Sequence, residues 1–196
     1  MPQGSSVEKK SADQGRSSQG ETLGARREEF TVVAIGASAG GLEACSKFLS
    51  TLPARTGMAY IIVQHLDPVH ESLLAELLAA HTTMPVGVAL DGAVIEPDHV
   101  YVIAPGTFIS ISGRALHVRP TPTQRGVRLP FDFLLHAMAS VLRERSACVV
   151  LSGTGEDGSS GLVSIKDQGG WSSCRIRKKR RLTGCRILPS TPARSI

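Results

Sequence analysis

Apolar residues along this chain fall into short unbroken runs separated by stretches with a helical period, an alternation that predicts a layered α/β fold. Phe30–Ile35 reads as a strand inside a parallel sheet because it is β-branched and apolar on both faces, and Met58–Val63 reads as a second buried strand. Ala147–Leu151 has the same character. Between the first two, a helix over Leu42–Thr51 brings Leu42, Cys45 and Leu49 near one face. A second over Glu71–His81 carries Leu73, Leu74, Leu77 and Leu78 as its apolar stripe. Pro130 opens a third over Phe131–Arg143, because proline is tolerated in a first helical turn, and Ser160–Asp167 begins a fourth.

Residues 85–120 break the pattern. Val86–Leu90, His99–Ile103, Phe108–Ile111 and Leu116–Val118 are β-like pieces split by Asp91-Gly92, Ala104-Pro105-Gly106 and Ser112-Gly113. Breaks of that kind predict hairpins in an antiparallel extension rather than further βαβ units. The expected fold class is a doubly wound, largely parallel α/β sheet of Rossmann-like type with a small antiparallel hairpin extension.

Composition changes this picture at the two ends. Residues 1–29 are rich in Ser, Gly, Gln, Lys and Glu and cannot bury enough surface to offset the entropy of ordering, so they read as a disordered polar leader. The net charge of +5 is unevenly spread. Residues 171–196 hold eight Lys and Arg and no acid, which leaves 14 basic and 17 acidic groups in the first 170 residues. The alkaline balance thus belongs to a basic tail, 171–196, and not to the domain at 30–170. Arg177-Lys178-Lys179-Arg180-Arg181 offers phosphate contacts to nucleic acid or anionic lipid, yet a solvated tail explains it as well, and no nucleic-acid partner is expected. No apolar run approaches the ~20 residues of a membrane span. Four cysteines form no CxxC pair, which fits a reducing cytoplasm, and Cys148 reads as core.

Candidate chemistry gathers at the ends of the apolar runs. Gly36-Ala37-Ser38-Ala39-Gly40-Gly41 follows the first strand, and a strand passing through small residues into a helix makes a turn that lifts Ser38 into reach of a substrate. His65 ends the second strand, and an imidazole is the usual base for a serine hydroxyl. Asp157, in Ser152-Gly153-Thr154-Gly155-Glu156-Asp157-Gly158, is a candidate to orient that base. Backbone N–H groups of Ala39 and, from the later turn, Thr154 are candidate oxyanion donors. Alternatives stay open on these residues alone. The glycine turn also suits an anion site without catalysis. His70, His81, His99, His117 and His136 are other possible bases, and Asp67 or Asp132 could replace Asp157. The order Ser, His, Asp differs from that of ordinary α/β-hydrolases.

Four segments carry a resemblance. Val33–Gly41 looks like the first motif of the CheB-type protein-glutamate methylesterases of bacterial chemotaxis. Ile62-Val63-Gln64-His65-Leu66 resembles that family's histidine segment, and Asp91-Gly92 through Val100–Gly106 its middle region. Leu151–Leu162 is similar to the segment holding its aspartate. The resemblance implies Ser38 as nucleophile, His65 as base and Asp157 as orienting acid. The implied reaction is hydrolysis of γ-glutamyl methyl esters on chemoreceptor signalling helices, releasing methanol, with glutamine deamidation in some members. It implies no metal or organic cofactor, methylated receptors as partners, and a cytoplasmic location.

The leader is too short for the receiver domain of the usual regulated enzyme, so a catalytic domain alone is expected, as in fusions with a methyltransferase, a second implied partner. After Gly169-Gly170 the resemblance gives way to Trp171-Ser172-Ser173-Cys174 and the basic tail, as a shifted reading frame would produce. The expectation is a domain lacking its closing strand and helix. The rival is a non-catalytic module that holds a phosphate or a receptor helix in the two glycine-rich loops.

Overall fold

Val32–Ala37 (β1) is buried at every position because it runs through the middle of a six-stranded sheet. The computed structural model describes residues 29–38, 40–64, 73–121, 129–152 and 156–174. After β1 come Gly41–Leu49 (α1), Ala59–Gln64 (β2), Leu74–Ala79 (α2), Val86–Val88 (β3), Val100–Val102 (β4), Thr107–Ser112 (β5) and Ala115–Pro120 (β6). Then follow Pro130–Leu142 (α3), a 3-10 turn at Arg143–Arg145, Ser146–Val150 (β7), Ser159–Asp167 (α4) and Trp171–Cys174 (β8). The sheet order is β3-β4-β2-β1-β7-β8 and every neighbouring pair is parallel. β5 and β6 form a separate antiparallel pair.

Alternation within β1 sorts the core into two halves. Val32 and Ala34 pack with Leu134 and Met138 of α3 and with Ile109 and Leu116 of the β5–β6 hairpin. Val33, Ile35 and Ala37 pack with Cys45 and Leu49 of α1 and Leu78 of α2. A strand covered on both sides has no solvent face, hence its unbroken apolar sequence. Burial pushes the Cys45 thiol up to about 11, which makes it an inert packing group. The chain leaves β1 for β2 on one side and returns through β7 on the other. Strand order reverses there, and in open α/β sheets the crevice beyond the carboxyl ends of such strands is where ligands bind.

Two expectations need correction. β3 and β4 are not hairpin strands. They pair in parallel and extend the main sheet beyond β2, so the antiparallel extension is β5–β6 alone. The stripe on α2 is also narrower than its spacing suggested. Leu74 and Leu78 are buried, whereas Leu73 and Leu77 are 60% and 49% exposed, because one face of this short helix suffices to cover the sheet. Trp171–Cys174, counted above with the basic tail, pairs with β7 as the last described strand. Among the described residues no helix is long and apolar enough to cross a membrane.

At the opposite, N-terminal edge of the sheet, Asp98 secures the entry to β2. Its Oδ1 accepts the N–H of Thr56 (2.6 Å) and of Gly57 (2.8 Å) and the Thr56 hydroxyl (3.2 Å). The Thr56 N–H does most to hold the carboxyl below the ordinary aspartate range. The Gly57 N–H, the Thr56 hydroxyl and the Arg55 charge add to it against a desolvation penalty. A depressed folded-state value stabilises above the unfolded-state value of 3.8, and the benefit disappears as pH falls through the folded one. Asp98→Asn is therefore expected to lower the urea midpoint at neutral pH, with the gap to wild type closing as pH falls through the lowered folded-state value. A gap that persists in acid would show that the charge is not the cause.

Candidate active site

Ser38 follows β1 directly, at the carboxyl edge of the sheet, and is half-buried. Two hydrogen bonds of its backbone groups form its turn. The Gly41 N–H donates to the Ser38 carbonyl oxygen at 2.6 Å, and the Ser38 N–H donates to the Ser152 hydroxyl oxygen at 3.2 Å. Gly40 caps α1 with φ of +74°, a left-handed conformation that suits glycine. Gly41 is tight for another reason. A Cβ there would lie 2.8 Å from the Ala37 Cβ and 3.2 Å from the Gln64 Cδ, so α1 begins directly against the ends of β1 and β2. The Leu151 N–H donates to the Gly36 carbonyl oxygen at 3.0 Å and brings the exit of β7 alongside.

Asp157 stands in the turn leading into α4, on the same edge. Its Oδ2 accepts the Phe131 N–H at 3.2 Å and its Oδ1 the Asp132 N–H at 2.9 Å. Those donors lie in the first turn of α3, where backbone N–H groups lack intrahelical partners and the helix dipole favours a negative charge. The Phe131 ring then spans the gap to the serine strand. A Cβ on Gly36 would approach its Cζ to 2.7 Å, and one on Gly158 its Cδ1 to 2.7 Å. Gly158 also has φ of +99°. One aromatic ring is thus packed between Gly36, two residues before Ser38, and Gly158, one residue after Asp157.

Ala39, His65 and Thr154 lie outside the described residues, as do Asp67 and His70. The remaining alternatives have other positions. His99 precedes β4 at the opposite edge of the sheet, with Nδ1 3.0 Å from the Pro97 carbonyl oxygen. His117 sits on β6 with Nδ1 3.6 Å from Asp91. His136, on α3, lies between the hydroxyls of Ser160 (3.2 Å) and Ser164 (2.9 Å) of α4. His81 is exposed in the turn after α2. Asp132 is buried, and its Oδ1 accepts the Gly161 N–H at 2.6 Å. Sequence reasoning assigned no role to Ser152 or Phe131. Ser152 opens the same motif as Asp157, but its bond to Ser38 crosses 114 residues. Among the described residues no three His, Cys, Asp or Glu side chains converge to hold a metal ion.

A family model described as CheB methylesterase matches residues 33–180. The chain belongs to the CheB methylesterase family. A protein-glutamate methylesterase/protein-glutamine glutaminase of Trichodesmium erythraeum is 35% identical over 147 residues, 72% of this chain and 42% of that protein. One from Myxococcus xanthus is 36% identical over 147 residues, 75% of this chain and 40% of the relative. One from Bordetella avium is 31% identical over 173 residues, covering 82% and 51%. The chain thus spans about half or less of these relatives' lengths. The crystal structure of the Thermotoga maritima CheB methylesterase catalytic domain superposes with a TM-score of 0.66 at 26% identity, covering 74% of this chain and 79% of that one. The CheB methylesterase fold therefore accounts for the parallel sheet.

Proposed function

We propose that this chain is a serine hydrolase that demethylates glutamate γ-methyl esters on chemoreceptor signalling helices, releasing methanol. The observation that carries the reading is Ser38 at the end of the central strand, where strand order reverses, on a turn tied to the loop that leads to Asp157. Family membership and the names of its relatives support the substrate class. The second half of those names supports deamidation of glutamine at the same site, with ammonia as the leaving group.

In this mechanism His65 takes the Ser38 hydroxyl proton as Oγ attacks the ester carbonyl carbon. The carbonyl π electrons move to oxygen, and the N–H groups of Ala39 and Thr154 receive the oxyanion. Collapse of the tetrahedral species breaks the bond to the methoxy oxygen, which takes the proton from the imidazolium and leaves as methanol. Water then repeats the sequence on the acyl-serine and frees the glutamate carboxylate. Asp157 is the group proposed to orient His65 and to stabilise the imidazolium. A carboxylate offers roughly four acceptor sites, so one group can hold both a helix end and a histidine ring. The Gly-rich turn places the acyl carbon next to backbone donors at the start of α1.

The enzyme is proposed to act in the cytoplasm, with a methyltransferase as the opposing partner that installs the esters. Methanol release from methylated chemoreceptor, measured with the full chain, tests the reading. Release above the spontaneous rate is expected, and its absence from the folded protein would overturn it.

A further inference from the structure

Two aspartates tie α3 and α4 together in opposite directions. Asp157, before α4, accepts N–H groups of Phe131 and Asp132 in the first turn of α3. Asp132 answers from α3, its Oδ1 accepting the Gly161 N–H in the first turn of α4 at 2.6 Å. Each carboxylate satisfies backbone donors that the other helix leaves unpaired. Asp132 alone belongs to both halves of this loop, through its side chain and through its own N–H. It is 6% exposed, and a carboxylate that deep persists only where it is hydrogen-bonded. The helices meet as closely as glycine allows. A Cβ on Gly161 would lie 3.1 Å from the Asp132 Oδ1 and 2.9 Å from the Leu135 Cδ1.

We propose that Asp132 is a positioning residue for Asp157. By drawing the first turn of α4 onto α3, it fixes where the preceding turn presents the Asp157 carboxylate. Its catalytic consequence rests on the esterase reading above, whereas its structural content stands on the hydrogen bonds alone. Without the Asp132 acceptor the Gly161 N–H is left buried and unpaired, α4 shifts, and Asp157 moves with it. Misplacement of a catalytic group by ~1 Å costs up to about 10²-fold in rate.

The test compares Asp132→Asn with Asp132→Ala in the full chain. Asparagine keeps an oxygen that can accept from Gly161, and alanine removes it. Amide exchange at positions 131 and 132 reads the bonds to Asp157, and kcat and KM for methyl-ester hydrolysis read the consequence. For Asp132→Ala, exchange at both amides is expected to rise by about tenfold or more, while the amides of Met138–Leu142 keep their protection. The same variant is expected to lose roughly 10- to 100-fold in kcat with little change in KM. Asp132→Asn is expected to recover most of both losses. The proposal is overturned if Asp132→Ala matches wild type, if asparagine fails to rescue, or if both variants unfold in far-UV spectra. Should wild type show no Ser38-dependent methanol release, the esterase reading falls, and the exchange rates alone decide the role of Asp132.

Discussion

Ser38→Ala is expected to lower kcat for methyl-ester hydrolysis by about 10³-fold or more while leaving the fold intact. The loss is large because alanine removes the atom proposed to form the acyl intermediate, and the remaining donors would supply only residual catalysis. The fold survives because the bonds that shape this turn are made by backbone groups. The Ser38 N–H reaches Ser152 and its carbonyl oxygen accepts from Gly41. Stability should change by less than about 1 kcal/mol, since no described hydrogen bond of the side chain is lost. Methanol release and thermal unfolding on the same preparation check both halves. Undiminished turnover in Ser38→Ala would remove the nucleophile assignment altogether, whereas a non-catalytic phosphate site built from backbone N–H groups would keep its phosphate binding and show no turnover in either protein.

Phe131→Ala is expected to carry the largest stability loss. The ring, in the first turn of α3, is 4% exposed, belongs to the core cluster that includes Val32 and Ala34, and fills the space above Gly36 and beside Gly158. Truncating a buried phenylalanine costs roughly 3–5 kcal/mol, the lost transfer energy plus the cavity. Against a net stability of ~5–15 kcal/mol this is a substantial fraction. The melting temperature should fall by on the order of 10 °C. Gly36→Ala should destabilise from the other side, because its Cβ would press on the same ring, at a cost of about 1–3 kcal/mol. Combining Gly36→Ala with Phe131→Leu should cost less than the two single changes added, since the smaller side chain relieves the clash. Strict additivity in thermal or urea unfolding would show that ring and glycine do not share the space.

Strands β1, β2 and β7 were legible because burial on both faces leaves a local mark. An unbroken apolar run rich in β-branched residues, such as Val32–Ile35, has few other stable destinations. The glycine turn after β1 was legible for a different local reason, since Gly40 adopts a left-handed conformation that few other residues accept. β3 and β4 were misread because their pattern is only three residues long in each case. At that length, a piece joined by a turn-rich connection looks like a hairpin whether it pairs antiparallel or parallel. Leu73 and Leu77 failed for a related reason. A helix of six residues can show its stripe to either side, and only the position of the sheet selects Leu74 and Leu78.

What the sequence determined by itself is the α/β layering, the resemblance to CheB methylesterases, and the residues eligible for the chemistry, because periodicity and short motifs are properties of neighbours in the chain. What only the tertiary structure decided is how those residues are held. Ser152 reaches Ser38 across 114 residues, Asp157 reaches the start of α3 across 25, and Asp132 reaches α4 across 29. Such bonds leave no periodic trace, because each partner is a common polar residue whose acceptor finds its donor only after the sheet has brought the helix ends together.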